Sequence, residues 1–473
     1  MVFLWFLLLN TLCSISIRNG EMIDSLPGQP SDVNFIQYSG YIVTDKLHGR
    51  ALFYYFAEAQ SENRFSKPLT LWLGGGHECS IATMGMFYEH GPFRPTKDGK
   101  LVKNQFSWNL ESNMLYVETP VGVEFSYSNT TTDYYNVWSD TLTAHQNMEF
   151  LRKWFIEYPE YRNLDFYIAG DSYGGHLAPQ LAALILEYNR KPEHIRPIKL
   201  KGIVLGNPFL EKMSLSNVEH LWYHGIISTE LYRLQKRVCN ATRMVIEFLS
   251  GEMSEYCSDI DVMISEEIGV DMDQDHNENL LFQSCESSSI SSSQQHHLAT
   301  ETAKADPCLR DWVYDYVSRP EVQKALHANT TGLPNHWNSI FHGNRKTIMH
   351  NLAIDILPTL SALLKSDIPV LIYSGDQDLR IPVTHTRELA NVLARRLKLT
   401  TLEMNGPWYD GNQIGGWSQT FGKLGGCKKV GNLTFATVRG GAHFVPSSSP
   451  SQALTLFKAF LKRSPPPRTK SDH

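Results

Sequence analysis

The sequence predicts an α/β fold: a mostly parallel central sheet, helices on both faces, and an inserted cap subdomain. Three observations carry this. Short, wholly apolar runs alternate with stretches of helical periodicity, as expected of strands buried on both faces. One such run, Phe166-Tyr-Ile-Ala-Gly170, leads into Asp171-Ser-Tyr-Gly-Gly-His176 and then a helix-compatible segment from Leu177 to Glu187. The alternation stops between about residues 209 and 305 and resumes after Cys308.

In chain order, residues 33–58 read as a long β-hairpin. Tyr38-Ser-Gly-Tyr-Ile-Val43 and Ala51-Leu-Phe-Tyr-Tyr-Phe56 flank a turn at Lys46-Leu-His-Gly49. Leu69-Thr-Leu-Trp-Leu73, bounded by Pro68 and Gly74-Gly-Gly76, reads as a buried strand, and Met114-Leu-Tyr-Val-Glu118 as another. From Ser139 to Tyr158, Leu142, Met148, Leu151 and Phe155 recur at helical spacing. Ile203-Val-Leu205 ends the first half of the core, residues 17–208, at Gly206-Asn207-Pro208. Residues 209–305 are polar, carry three cysteines and end in the Ser-rich run 285–297. They read as a cap whose last part is an exposed, cleavable loop. His296 and His297 fit a solvated loop better than a metal site, and no metal or cofactor is predicted. The second half of the core, 306–463, offers a helix from Ile348 to Leu364, a strand from Ile368 to Tyr373, a helix from Glu388 to Leu397 and a strand from Thr434 to Arg439. The tail, 464–473, with Ser464-Pro-Pro-Pro467, is expected to be disordered.

Composition narrows the functional class. The chain has 473 residues, 42% hydrophobic, with net charge −6, and no basic stripe points to nucleic acid. Val2 to Cys13 is nearly all apolar but too short to span a bilayer. Ser14 and Ser16 then offer a signal-peptidase site before Ile17, although the usual positive start is missing. Removal of residues 1–16 implies a secreted or lysosomal protein with no membrane anchor. Export fits the sequons at Asn129, Asn240, Asn329 and Asn432. It also fits the six cysteines left after Cys13: Cys79, Cys239, Cys257, Cys285, Cys308 and Cys427, an even number with no close zinc-type pair.

The strand–Gly-x-Ser-x-Gly–helix arrangement is that of the nucleophile elbow in α/β hydrolases. It lifts the Ser172 hydroxyl clear of the sheet and aims following backbone N–H groups at an incoming carbonyl oxygen. In this fold the serine's acid and histidine follow in that order. Ser374-Gly-Asp376-Gln-Asp378 and Gly440-Gly-Ala-His443 both sit just beyond strand ends, where open α/β sheets build their sites. From chemistry alone either Asp376 or Asp378 serves.

Longer motifs make the resemblance specific. Trp72-Leu-Gly-Gly-Gly-His-Glu-Cys-Ser80 resembles the Trp-Leu-Asn-Gly-Gly-Pro-Gly-Cys-Ser of the serine carboxypeptidases. So do Glu89-His-Gly-Pro-Phe93, Ser107-Trp-Asn109, Phe125-Ser-Tyr-Ser128, Asp306-Pro-Cys308, Tyr373-Ser-Gly-Asp-Gln-Asp378 and His443-Phe-Val-Pro446. The resemblance covers nearly the whole mature chain. It implies a serine-type carboxypeptidase that works through an acyl-enzyme on peptide substrates. Ser172 would be the nucleophile, Asp378 the orienting acid and His443 the general base. The Gly76 and Tyr173 N–H groups would form the oxyanion hole. It assigns recognition of the substrate's terminal carboxylate to Asp171, Glu89 and Gly75, which implies activity at acidic pH, because an acid hydrogen-bonds a carboxylate only while protonated. It also implies disulfides Cys79–Cys308 and Cys239–Cys257. A homodimer is compatible with the sequence.

The chain departs from the family pattern at the carboxylate grip. Gly74 stands in place of the family asparagine, removing an amide donor, and Asp171 is one methylene shorter than the usual glutamate. His77 and Glu78 replace a proline and a glycine. If the glycine position needs positive φ, Glu78 strains the loop by about 1–3 kcal/mol. Plant acyltransferases of this fold also carry an aspartate before the serine, so acyl transfer to an alcohol is an alternative. A protective or carrier relative with weak activity is another.

Overall fold

The computed structural model describes residues 21–75, 83–134, 139–192, 196–215, 217–269, 285, 306–329, 345–423 and 430–470. The predicted leader and, beyond Cys285, the Ser-rich loop lie outside these residues. The strands are β1 (Glu21–Met22), β2 (Gln37–Asp45), β3 (Arg50–Ala57), β4 (Leu69–Trp72), β5 (Phe93–Pro95), β6 (Leu101–Lys103), β7 (Asn113–Val117), β8 (Phe166–Asp171), β9 (Leu200–Gly206), β10 (Val370–Gly375), β11 (Thr400–Asp410), β12 (Gln413–Gly422) and β13 (Leu433–Val438). All but β5 and β6, which pair with each other, join one 11-stranded sheet in the order β1-β2-β3-β7-β4-β8-β9-β10-β13-β12-β11. Its centre, from β7 to β13, is parallel, and both flanks are antiparallel. Because β4, β8, β10 and β13 run the same way, the turns after all four open on one edge of the sheet.

The strand sequences alternate between two cores, as a sheet covered on both faces requires. Leu71, Leu115, Ile168, Ile203 and Ile372 face one way. There they meet α1 (Asp140–Glu157), α2 (Gly174–Arg190) and, from the second half of the chain, the helices Leu357–Lys365 and Val383–Arg396. Trp72, Tyr116, Ala169, Val204 and Tyr373 face the other way. Ser139 caps α1, its hydroxyl accepting from the Leu142 N–H. Met148, Leu151 and Phe155 are buried along α1, but Leu142, expected in that stripe, is 54% exposed.

The insertion is helical: α3 (Val218–Tyr223), α4 (Thr229–Val238), α5 (Ala241–Ser250) and α6 (Glu255–Ile268). It has a small core of its own, in which Val218, Leu221, Leu231, Ile260 and Ile264 join Leu379, the neighbour of Asp378. The Asn217 amide also donates to the Leu379 carbonyl at 2.9 Å. Cys239 and Cys257 form a disulfide within the cap.

After the insertion come α7 (Leu309–Val317), α8 (Pro320–Ala325), α9 (Arg345–Leu352), α10 (Leu357–Lys365), α11 (Val383–Arg396), the short α12 (Val445–Ser448) and α13 (Pro450–Leu461). Three expectations are corrected here. Cys308 pairs with Cys285, their Cα atoms 4.8 Å apart, and not with Cys79. The bond therefore ties the far end of the insertion to the start of the second half-core. Cys79 and Cys427 lie outside the described residues. The helix expected from Ile348 to Leu364 is two helices. The break falls where Asp355 accepts the Leu357 N–H and Pro358 sits in the first turn of α10. Finally, residues 464–470 are not a disordered tail: the Pro467 carbonyl accepts from Tyr409 at 2.8 Å, and Arg468 bonds Glu403 and several carbonyls of β11 and β12.

Candidate active site

At the end of β8 the chain turns sharply into α2 with Ser172 at φ 48°, a left-handed conformation that costs a non-glycine residue about 1 kcal/mol or more. The turn is held by hydrogen bonds, Ser172 N–H to Gly206 O at 3.0 Å and Phe209 N–H to Ser172 O at 2.8 Å. Both flanking glycines are required by close approach. A Cβ on Gly170 or Gly174 would lie 2.4 or 2.2 Å from the Leu73 carbonyl oxygen at the end of β4.

The turns after β10 and β13 bring the other groups to the serine. His443 Nε2 lies 2.9 Å from Ser172 Oγ, and His443 Nδ1 lies 2.9 Å from Asp378 Oδ2. Asp378 is fully buried, His443 is buried, and Ser172 is half-buried. The Arg380 and Ile381 N–H groups donate to Asp378 Oδ1 at 2.7 and 3.1 Å. The Asn207 amide donates to Oδ2, and its own oxygen accepts the Gly375 N–H at 3.2 Å. Between the two candidate acids geometry decides. Asp376 accepts the Gly440 N–H at 2.7 Å and so ties the turn after β10 to the turn after β13, while Asp378 faces the imidazole. Such a chain can move a proton from the hydroxyl to the ring while the carboxylate holds the ring's tautomer.

Tyr173 is anchored beside the serine. Its hydroxyl donates to Asp140 Oδ1 at 2.6 Å, and His176 Nδ1 lies 2.9 Å from Asp140 Oδ2. Burial, then the Asp140 carboxylate, pushes the Tyr173 pKa far up. Of the expected oxyanion donors, the Tyr173 N–H lies in this turn, against Gly75, and Gly76 lies outside the described residues. His77 and Glu78 lie outside them too.

Two of the residues expected to hold the substrate carboxylate, Asp171 and Gly75, meet beside the serine. Gly75 N–H donates to Asp171 Oδ1 at 3.0 Å, and Asp171 and Glu89 are each 2% exposed. Glu89 ends the helical turn Met84–Glu89. Arg94 ties that turn to the His443 turn, donating to the carbonyls of Glu89 at 3.3 Å and Pro446 at 3.4 Å. Burial lowers its pKa to about 10. From the cap, His220 comes close enough to feel Asp378; burial and then His224 still lower its pKa to about 4.

The sequence did not mark Asn207, Asp140 or Arg94 as part of the site. The only available signal was position: Asn207 follows a strand end on the edge where the turns carrying Ser172, Asp378 and His443 open. The four sequon asparagines, Asn129, Asn240, Asn329 and Asn432, are all exposed. Among the described residues no helix is long and apolar enough to cross a membrane, and no cluster of three or more metal-ligating side chains occurs.

A parallel sheet with a strained serine after β8, an acid after β10 and a histidine after β13 defines the α/β-hydrolase class. Within that class the chain belongs to the serine carboxypeptidase family, whose model matches residues 27–463. It is 42% identical over 463 residues to serine carboxypeptidase-like 45 of Arabidopsis thaliana, covering 97% of this chain and 95% of the relative. It is 43% identical over 466 residues to serine carboxypeptidase-like 46 of the same plant, with the same coverage of each chain. Among solved structures it resembles a prohormone-processing carboxypeptidase from Saccharomyces cerevisiae. That match has a TM-score of 0.68 at 20% identity and covers 91% of each chain, a likeness of fold.

Proposed function

We propose that the protein is a serine-type carboxypeptidase that removes C-terminal amino acids from peptides at acidic pH. Ser172 Oγ attacks the last peptide carbonyl and gives its proton to His443 Nε2. The oxyanion that forms is met by the Tyr173 N–H and, by family resemblance, the Gly76 N–H; each such donor is worth about 3 kcal/mol in the transition state. The C–N bond breaks as His443 returns the proton to the leaving amine, and water activated by the same histidine releases the acyl group. Asp378 keeps the ring oriented throughout.

The observation that carries the exopeptidase reading is the buried Asp171, one residue before the serine and bonded to the Gly75 N–H, with Glu89 buried and close enough that both carboxyl groups act on the Tyr373 hydroxyl. At acidic pH one of these acids keeps a proton and can hydrogen-bond the substrate's terminal carboxylate. The exposed sequon asparagines and the two disulfides support passage through the secretory pathway to an oxidising, acidic destination. Transfer of an acyl group to an alcohol is the second reading, favoured by Asp171 and by the missing amide at Gly74.

The test is incubation near pH 5 with N-blocked dipeptides, alongside Ser172→Ala. Serine-dependent release of the last amino acid is expected, with the variant at least 1000-fold slower. Turnover only in the presence of an acyl acceptor would replace the first reading with the second. Labelling of Ser172 by a fluorophosphonate without turnover would leave a protective or carrier protein.

A further inference from the structure

In the sheet register, Asp171 of β8 pairs with Gly206 of β9, and Gly206 pairs with Tyr373 of β10. The three residues form one row across three strands. Ala169, Val204 and Leu371 lie two residues back along the same strands and face the second core, as Tyr373 itself does. By strand alternation, Asp171 points to that face too. Gly206 in the middle has no side chain, and the Tyr373 ring fills the gap. A Cβ on Gly206 would lie 2.4 Å from the Tyr373 hydroxyl oxygen and 2.5 Å from the ring carbon that bears it. Neighbouring strands are about 4.8 Å apart, so a tyrosine lying along the row spans most of the way to Asp171.

The hydroxyl that ends this reach is buried and has no hydrogen-bond partner among the described residues. Folded proteins seldom leave such a group without an acceptor, and a phenylalanine would fill the same space without the defect. Beyond burial, what acts on it is the field of two carboxyl groups, Glu89 and then Asp171. These are the two acids assigned above to the substrate's terminal carboxylate. We infer that the Tyr373 hydroxyl is a third, neutral donor in the carboxylate grip, contributed by β10 alongside Asp171 and Glu89. The inference rests on the carboxypeptidase reading of that site.

Chemistry gives the donor a purpose. A bound terminal carboxylate brings a third acidic group beside two others, and acceptors then outnumber protons. The family's amide at position 74 would ease that shortage, but here the position is Gly74. The Gly75 N–H remains, already bonded to Asp171. Burial pushes the Tyr373 pKa well above its ordinary value, so its proton stays in place across the working range.

The test is Tyr373→Phe, assayed beside the wild-type enzyme near pH 5 on an N-blocked dipeptide with a free C-terminal carboxylate and on the same peptide as its C-terminal amide. For the free acid, KM is expected to rise about tenfold with most of the loss in KM rather than kcat. The amide's kcat/KM should change less than twofold, and Tm should hold or rise because an unpaired buried hydroxyl has gone. An unchanged KM for the free acid would overturn the inference. So would kcat and Tm falling together on both substrates, the mark of a purely structural tyrosine. A wild-type enzyme indifferent to the terminal carboxylate would remove the carboxypeptidase reading itself and this inference with it, an outcome visible before the variant is compared.

Discussion

Asn207 carries one of the shortest paths from conformation to chemistry in the molecule. It sits at φ 40°, which asparagine tolerates better than most residues because its short side chain bonds locally. In that conformation its amide reaches Asp378 Oδ2 while its oxygen takes the Gly375 N–H. A hydrogen bond to a buried carboxylate is worth about 1.5–3 kcal/mol. Asn207→Gly keeps the left-handed backbone available and deletes only the amide. It should lower kcat by about 10- to 100-fold with KM little changed, as measured by steady-state kinetics at the pH optimum. A kcat within twofold of wild type would show that the Arg380 and Ile381 N–H groups hold Asp378 unaided. The serine, acid and histidine were legible because each sits in a small-residue turn after an apolar run. Asn207 was not: its role depends on β9 lying beside β10, a neighbour relation that no local pattern carries.

At the scale of elements, the strands of the parallel centre and α1 and α2 could be read from the sequence because each is buried on both faces or along one stripe. The hairpin β11–β12 could not. Most of β11 is exposed or half-buried, and its pairing with β12 shifts register three times, so no period of two survives in the sequence. The tail was misread for a related reason. Ser464-Pro-Pro-Pro467 has the composition of a linker, yet it docks where Tyr409 offers an N–H and β11 and β12 offer carbonyls to Arg468. The second disulfide belongs to this scale as well. Cys285 and Cys308 are 23 residues apart, and closing a loop of that length removes about 3 kcal/mol of unfolded-state entropy in the chain-entropy model. Cys285→Ser with Cys308→Ser should lower stability by about that amount in a denaturant titration while leaving the Ser172 chemistry active at 25 °C. An equal loss of kcat in the folded variant would mean that the bond also positions the cap over the site.

For the whole molecule, one buried acid outside the catalytic site predicts how stability follows pH. Glu118 is fully buried at the end of β7, accepting the Phe125 N–H at 2.9 Å. Thr83 Oγ1 lies 3.4 Å from its Oε1 and 3.2 Å from Glu124 Oε2. Glu124 holds its place at φ 46°, a conformation that favours glycine. Burial raises the Glu118 pKa to about 7, and the bonds from Glu124, Phe125, Thr83 and Ser126 offset only part of that rise. The folded state thus holds this proton more tightly than the unfolded chain does, where a glutamate titrates near 4.3. Its stabilisation is complete below that value and is lost as pH climbs through about 7, a swing of about 4 kcal/mol. Thr83, whose hydroxyl reaches both Glu118 and Glu124, directly precedes the helical turn Met84–Glu89. Tm measured from pH 4 to pH 8 should fall toward neutrality, and Glu118→Gln, which keeps a neutral group at every pH, should flatten that fall. A wild-type Tm that rises between pH 5 and pH 8, or a variant that falls just as steeply, would mean that other groups control the acid preference of the fold.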